Sequence, residues 1–219
     1  MERWATFDCY GTLIDWNGGI RAELARSFGE GTADRLLARY HEVEPEIERE
    51  DPARAYRVVL GEALRRLAAE EGVELSNPDA LADSLPEWPP FPEVPGALGE
   101  LRARGWRLGI LSNTDPDLLT ASIDQIGVPV DLRIVASQIG SYKPAHAHWE
   151  HFFAESGADR ARHVHVAASH FHDIVPASEL GLTSVWINRL DETETEPQPT
   201  RELRDLAQLP EVLDELVPG

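Results

Sequence analysis

The chain has 219 residues, a formal net charge of −19, and 42% hydrophobic and 27% charged residues. This composition is that of a folded globular protein and excludes fibrous and disordered classes, while the acidic excess argues against nucleic-acid binding, which needs basic patches. No apolar run approaches the ~18 residues of a membrane helix, and the strand-like residues 4–7 argue against a signal peptide. The one cysteine excludes an intrachain disulfide. We therefore expect a cytoplasmic protein without membrane association.

The first predicted element is a short buried strand at residues 3–8, which ends at turn residues around Gly11. From Ile20 to Glu71, apolar residues recur at helical spacing with charges between them. This pattern predicts three or four helices, and a further short helix is predicted near residues 78–85. Five prolines follow at 86–95. Because proline fixes φ and lacks an amide hydrogen, they predict a stiff connection and a domain boundary.

After the prolines, predicted helices and strands alternate along the chain. The predicted helices span 98–104, 116–126, 145–156 and 174–180, and the strands span 106–111, 132–136, 163–168 and 183–187. Such alternation is typical of a parallel sheet with helices on both faces. An acidic, proline-containing segment at 191–200 predicts a loop, and a last helix is predicted at 203–217, interrupted at Pro210.

The first strand belongs with the later alternating elements, so the helical stretch between them is an insertion. The predicted fold class is therefore α/β, with a Rossmann-like doubly wound parallel sheet as its core. We assign residues 1–14 and 92–219 to this core domain and residues 15–91 to an inserted small α-helical domain.

Polar residues gather at the predicted carboxyl ends of the strands, where an open parallel sheet binds its ligands. These residues are Asp8-Cys9-Tyr10-Gly11-Thr12, Ser112-Asn113, Ser141-Tyr142-Lys143-Pro144 and Ser169-His170-Phe171-His172-Asp173. One edge of the sheet thus collects carboxylates, hydroxyls, an amide, histidines and a lysine. Lys143 is the only lysine of the chain, which singles it out for a specific role.

These strand ends resemble the four sequence motifs of the haloacid dehalogenase superfamily, in order and in spacing. The matching residues are Asp8-x-Tyr10-Gly11-Thr12-Leu13-x-Asp15, Ser112-Asn113, Lys143-Pro144 and Asp173. The resemblance covers residues 1–14 and 92–190. It implies an aspartate nucleophile, Asp8, and it implies that the helical insertion is the small cap domain of that superfamily.

Two departures decide between the branches of the superfamily. Its phosphatases usually carry a second aspartate two residues after the nucleophile, and they hold Mg²⁺ with carboxylates of the first and fourth motifs. Here Tyr10 takes the first position, and a phenol with a reference pKa near ~10 is a poor acid at neutral pH. Ala168 takes the place of a metal carboxylate. The resemblance therefore favours the metal-independent 2-haloacid dehalogenase branch, for which we expect no cofactor.

In that branch the resemblance implies a two-step reaction. Asp8 attacks the carbon that bears the halogen and forms an ester, while Lys143 and Thr12 keep it ionised and oriented. Water then hydrolyses the ester. Asp173 is the expected base or water-orienting group, and His170, which replaces an asparagine of the family, is expected to act with it.

The resemblance also implies how a small 2-haloacid is held. The candidate substrate-binding residues are Cys9 and Tyr10 through their backbone amides, Ser112 through its hydroxyl, and Trp149, which stands where the family has a tyrosine. The departing halide is expected to meet Arg39, 31 residues after Asp8, and Asn113.

Two other functions are kept as alternatives. The first is a phosphatase that acts on a small phosphomonoester, which Mg²⁺-dependent hydrolysis would reveal. The second is a non-catalytic binding protein of the same fold. The histidines near 146–151 and 170–172 raise the question of a metal site, but zinc needs three or four converging ligands and we expect none. The sequence is compatible with a homodimer.

Overall fold

The computed structural model describes residues 2–51, 54–193 and 196–219. Within these residues six strands form one sheet in which every neighbouring pair is parallel. The strands are β1 Arg3–Phe7, β2 Trp106–Ser112, β3 Leu132–Val135, β4 His163–Ala167, β5 Thr183–Ile187 and β6 Arg201–Leu203. Their order across the sheet is β3-β2-β1-β4-β5-β6. The sheet therefore continues in opposite directions on the two sides of β1.

Helices surround the sheet. They are α1 Trp16–Phe28, α2 Ala33–Glu50, α3 Tyr56–Glu71, α4 Ala80–Ser84, α5 Val94–Ala103, α6 Pro116–Ile126, α7 Ala136–Ile139, α8 Ala147–Ser156, α9 Val175–Glu179 and α10 Leu209–Leu216. A π-helical turn spans His170–Ile174, and short 3₁₀ turns span Glu30–Thr32, Leu85–Glu87 and Arg160–Arg162. In the part of the chain that the structure describes, no helix is long and apolar enough to cross a membrane.

The sheet is buried on both faces. All five residues of β1 and all five of β4 are buried, as expected when helices cover a parallel sheet on both sides. Successive side chains of a strand point to opposite faces, so Ala5 and Phe7 belong to one apolar cluster and Trp4 to a second cluster that contains Trp149 and Phe152 of α8. The predicted α/β class and doubly wound parallel sheet are confirmed.

The helical insertion leaves and rejoins the core at one place. The Asp15 amide donates to the Pro89 carbonyl at 2.9 Å, and the Phe91 amide donates to the Leu13 carbonyl at 3.0 Å. The two crossing segments thus run side by side, and α1 to α4 lie between them in sequence. The division of the chain at residues 14/15 and 91/92 stays our interpretation of this crossing.

The carboxyl-terminal part differs from the prediction. The predicted helix over 203–217 is wrong in its first half, because Leu203 ends strand β6, which pairs with β5, and residues 204–208 form bends and turns. The helix begins only at Leu209, with Pro210 in its first turn. Proline is tolerated there because the amide groups of the first turn form no hydrogen bonds within the helix. The predicted loop at 191–200 includes residues 194 and 195, which lie outside the described residues.

Candidate active site

A cavity of about 250 Å³ opens at the carboxyl end of β1. This is the point at which the strand order reverses, where open α/β sheets bind their ligands. From the core, the cavity is lined by Asp8, Tyr10, Ser112, Asn113, Lys143, Ser169, His172 and Asp173. From the insertion, it is lined by Trp16, His41, Glu44, Pro45, Glu48 and Tyr56. Both parts of the chain therefore form its walls.

Lys143 joins two carboxylates at the base of the cavity. Its Nζ donates to Asp8 Oδ1 at 2.9 Å and to Asp173 Oδ1 at 2.7 Å, and Lys143 is only 2% exposed. Thr12 Oγ1 donates to the other oxygen of Asp8, Oδ2, at 2.8 Å. Asp8 is thus held at both oxygens, and two contacts, from Lys143 and from Thr12, fix the orientation of its carboxylate.

Local structure explains these positions. Asp8 directly follows β1, and the chain then turns through Gly11, whose φ of +88° is one that glycine adopts without strain. This turn brings Thr12 back to Asp8, and the amide of Ala168 at the end of β4 donates to Thr12 Oγ1 at 2.8 Å. The Lys143 backbone is clamped by Asn113, which accepts from its amide at 2.7 Å and donates to its carbonyl at 3.1 Å.

A buried chain of hydrogen bonds runs from Asp173 into the sheet. His165 Nε2 lies 2.9 Å from Asp173 Oδ1, and His165 Nδ1 lies 2.9 Å from Thr6 Oγ1. Thr6 Oγ1 is also 2.7 Å from His163 Nε2. Because a carboxylate only accepts, His165 Nε2 carries a hydrogen. Its Nδ1, when unprotonated, accepts from the Thr6 hydroxyl, which accepts in turn from His163.

The two carboxylates have opposite pKa shifts. Burial would raise the pKa of Asp173, but the charge of Lys143 and the hydrogen bond from His165 outweigh it and lower that pKa to about 2. For Asp8, burial and the charge of Asp173 outweigh Lys143 and Thr12, so its pKa lies above the ordinary value. Both carboxylates contact the same ammonium group of Lys143, and its charge outweighs burial at Asp173 but not at Asp8.

Two polar atoms at the cavity have no hydrogen-bonding partner within the described residues. They are Ser112 Oγ and Asp173 Oδ2. Both residues line the cavity and both are fully buried. Because buried polar atoms in folded proteins nearly always have a partner, unpaired atoms at a cavity indicate the places where a ligand or water binds.

Comparison with known proteins agrees with this geometry. The sequence model of the haloacid dehalogenase-like hydrolases matches residues 3–181. The chain belongs to this family. It is 30% identical to (S)-2-haloacid dehalogenase 1 of Pseudomonas sp. strain CBS-3 over 96% of both chains, and 29% identical to (S)-2-haloacid dehalogenase of Pseudomonas sp. strain YL over 84% of this chain and 81% of that one.

The fold of this hydrolase is also found in solved structures of dehalogenases. The crystal structure of an L-2-haloacid dehalogenase superposes with a TM-score of 0.87 at 24% sequence identity, over 97% of this chain and 99% of that one. With the curated relatives above, this places the hydrolase in the 2-haloacid dehalogenase-like branch of the superfamily, as the motifs predict.

Most of the predicted site residues of the hydrolase lie together. Asp8, Tyr10, Ser112, Asn113, Lys143 and Asp173 line the cavity, and Thr12 contacts Asp8. Cys9 lies beside Asp8 with its side chain fully buried in the core, so only its backbone can face a ligand. The side-chain oxygen and one amide hydrogen of Asn113 form hydrogen bonds with the Lys143 backbone. Within the described residues, the second hydrogen of this amide group remains free to bind a ligand in the cavity.

Three predicted residues are placed elsewhere. Arg39 lies on the outer side of α2, 36% exposed, and pairs with Glu70 and Glu42. Trp149 is fully buried, with its ring 5.1 Å from that of His165. His170 Nε2 donates to the Pro197 carbonyl at 3.0 Å, and the residue lines a neighbouring cavity of about 800 Å³. The structure does not support halide binding by Arg39 or substrate contact by Trp149.

Other side chains of the site were not among the predicted ones. His165 contacts Asp173, and His172 lines the cavity with its Nδ1 3.0 Å from Ser169 Oγ. Glu44 and Glu48 line it from α2. The signal for the glutamates is their spacing, because they fall among Tyr40, Val43 and Ile47 on the buried face of that helix, where a charged residue is unusual.

The residues present do not fit the Mg²⁺ site of the related phosphatases. Ala168 stands where those enzymes have a metal carboxylate, and the two motif carboxylates that remain, Asp8 and Asp173, are both bound by Lys143. Among residues 2–51, 54–193 and 196–219, no group of three or more histidine, cysteine, aspartate or glutamate side chains is arranged to hold a metal ion. The nearby histidines do not converge, since His146 pairs with Glu179 and His148 lies 3.2 Å from the Ser112 carbonyl.

Proposed function

We propose that the protein hydrolyses the carbon–halogen bond of a small 2-haloacid, of the haloacetate or 2-halopropionate type, without a metal ion. The observation that carries the proposal is the arrangement of Asp8, which is held by Lys143 and Thr12 at the floor of a small cavity. The curated relatives named as 2-haloacid dehalogenases support the same substrate class.

In the first step, one carboxylate oxygen of Asp8 attacks the carbon that bears the halogen. A C–O bond forms as the carbon–halogen bond breaks, and the bonding electron pair leaves with the halide. Asp8 must be ionised to act as a nucleophile, and Lys143 and Thr12 stabilise that form. Both contacts also restrict rotation of the carboxylate, which keeps it in position for attack.

In the second step, water attacks the ester carbonyl of Asp8 and releases the hydroxyacid. Asp173 accepts the proton of this water or orients it through Oδ2, the oxygen that has no partner within the described residues. Its other oxygen is held by Lys143 and His165. The overall reaction consumes one water and yields the hydroxyacid, a halide ion and a proton, and Asp8 is regenerated.

The substrate carboxylate is assigned to Ser112, whose hydroxyl is buried at the cavity and unpaired within the described residues. Backbone amides after Asp8 are further donors in this proposal. Asn113, with its remaining amide hydrogen, is the candidate for the departing halide. His172, rather than His170, is the histidine of this segment that lines the cavity, and we therefore move the proposed contribution to water activation from His170 to His172.

The decisive experiment is a halide-release assay on haloacetates and 2-halopropionates with EDTA present. We expect release by the wild-type protein, and a loss of roughly four orders of magnitude or more in Asp8→Asn, because an amide is not a nucleophile here. Circular dichroism checks that this variant is folded. Hydrolysis of phosphomonoesters that depends on added Mg²⁺, without halide release, would instead select the phosphatase alternative.

A further inference from the structure

Two glutamates of α2 face the cavity from the insertion. Glu44 and Glu48 are one helical turn apart, 8% and 9% exposed, and both line the cavity that also contains Lys143. Residues at this spacing share one face of a helix. Two acidic side chains thus form part of the wall of a cavity whose proposed substrate is itself an anion.

The surroundings of the two glutamates contain few positive charges. Glu44 Oε1 accepts from the Tyr56 hydroxyl at 2.9 Å, whereas the carboxyl group of Glu48 has no hydrogen bond or ion pair within the described residues. The titratable groups around them are Tyr40, His41 and Tyr56 from the insertion, and Tyr142 and Lys143 from the core. Lys143 is already engaged by Asp8 and Asp173.

Two buried carboxylates without a paired cation do not ionise together, because each disfavours the charge of the other and burial disfavours both. Burial raises the pKa of Glu44 to about 7. Burial and the charge of Glu44 raise the pKa of Glu48 to about 9, against the opposing effect of Lys143. At neutral pH Glu48 is therefore a carboxylic acid, and an acid has one O–H donor.

We propose that Glu48, protonated and adjacent to Glu44, donates a hydrogen bond to the carboxylate of the bound substrate. Among the described residues that line the cavity, Lys143 is the one lysine or arginine, and it already forms ion pairs with Asp8 and Asp173. Neutral donors must then hold the anion. The unpaired Ser112 hydroxyl, fully buried at the same cavity, is the second donor of this kind. This inference rests on the proposed 2-haloacid substrate.

The test is the binding of propionate, an unreactive analogue of a 2-halopropionate, measured by calorimetry as a function of pH. We expect wild-type affinity to decrease modestly as Glu44 ionises near pH 7, and then to show a steep alkaline fall of about tenfold for each pH unit once Glu48 ionises. In Glu48→Gln the amide keeps an N–H donor at every pH, so the neutral-pH affinity stays within about threefold and the alkaline fall disappears. Glu48→Ala should weaken neutral-pH binding roughly 10-fold to 100-fold.

Glu46→Gln is the matched control, since Glu46 lies on the same helix but is exposed, and it should behave as the wild type. The proposal is overturned if Glu48→Gln and Glu48→Ala bind propionate equally and more tightly than the wild type at every pH. That outcome would show that Glu48 only repels anions. It is also overturned if the wild type does not bind propionate at neutral pH, or if Glu48→Gln retains the alkaline fall.

The same variants separate this inference from the proposed function. If propionate binding follows the expected pattern but no 2-haloacid releases halide, the proposed reaction fails and the anion-binding role of Glu48 stands. If halide is released but the two Glu48 variants bind propionate alike, the reaction stands and the role of Glu48 fails.

Discussion

His165 and Asp173 form a fully buried hydrogen bond of 2.9 Å between Nε2 and Oδ1. His165 lies in β4, whereas Asp173 lies in the π-helical turn that follows this strand. The bond therefore ties the carboxylate of this turn to a strand of the sheet. Since Lys143 binds the same oxygen, Oδ2 of Asp173 is left without a hydrogen-bonding partner within the described residues.

The first prediction concerns this bond. His165→Ala should lower the free energy of unfolding by about 2–4 kcal/mol, because it removes a buried ring and a hydrogen bond to a charged group. His165→Asn, which keeps an N–H donor, should recover part of that loss. Denaturant unfolding measures both values.

A kinetic measurement distinguishes positioning from mere stability. If His165 positions Asp173, His165→Ala should slow ester hydrolysis more than halide release in a single turnover, at a temperature where the variant is folded. Equal slowing of the two steps would contradict this role and leave His165 as a structural residue.

The second prediction concerns Asp173 itself. Asp173→Asn should release about one equivalent of halide per protein and then stop, because the amide cannot accept the proton of the attacking water. Mass spectrometry of the stopped reaction should find the ester on the peptide that contains Asp8. Multiple-turnover halide release at the wild-type rate would contradict the assignment of Asp173 to ester hydrolysis. Loss of halide release with no adduct on Asp8 would contradict it as well.

The third prediction concerns Arg39, which the structure places on the outer surface of α2 with Glu42 and Glu70. Arg39→Ala should leave kcat and KM for a 2-haloacid within about twofold, and should change the free energy of unfolding by ~1 kcal/mol or less, as exposed ion pairs contribute little. Asn113→Ala is the contrasting variant, because Asn113 clamps the Lys143 backbone; it should reduce halide release at least tenfold. A large kinetic defect in Arg39→Ala would mean that α2 moves during the reaction.

Arg39 and Glu48 show why the cavity residues of the core were found from the sequence while those of the insertion were missed. Asp8, Lys143 and Asp173 follow strands or sit at fixed offsets from them, and parallel strands bring such residues to one edge. On α2, alignment by distance from Asp8 selects Arg39, but which side of a helix faces the cavity depends on packing against α1 and α3. Burial of Glu44 and Glu48 on that face is a tertiary property that their charge conceals.

Strand β6 was not predicted, also because its sequence pattern does not reveal its structural context. Arg201–Leu203 is three residues long, two of them charged and exposed, and lies at the edge of the sheet. Short charged edge strands are common in proteins because they prevent further pairing. They lack the apolar alternation that identifies a strand in a sequence, so the leucines after residue 203 suggested a helix instead.

The fourth prediction concerns the acid side of the pH profile. The pKa of Asp8 is raised by burial and by the charge of Asp173, and it is lowered by Lys143 and Thr12. Since the ionised form is the nucleophile, halide release in the first turnover should fall as the pH decreases through this raised pKa, at a higher pH than for an exposed aspartate. Asp173→Asn removes one negative neighbour and should shift this acid limb to lower pH. Thr12→Val removes a hydrogen bond that favours the ionised form and should shift it to higher pH.

These opposite shifts make the prediction specific to Asp8. Single-turnover halide release, measured by rapid quench across the acid range, avoids the hydrolysis step that Asp173→Asn blocks. Thr12 also accepts the amide of Ala168, so Thr12→Ser is the control that retains both hydrogen bonds, and its acid limb should coincide with that of the wild type. If the limb moves in the same direction in Asp173→Asn and Thr12→Val, or does not move in either, then the group that titrates is not Asp8.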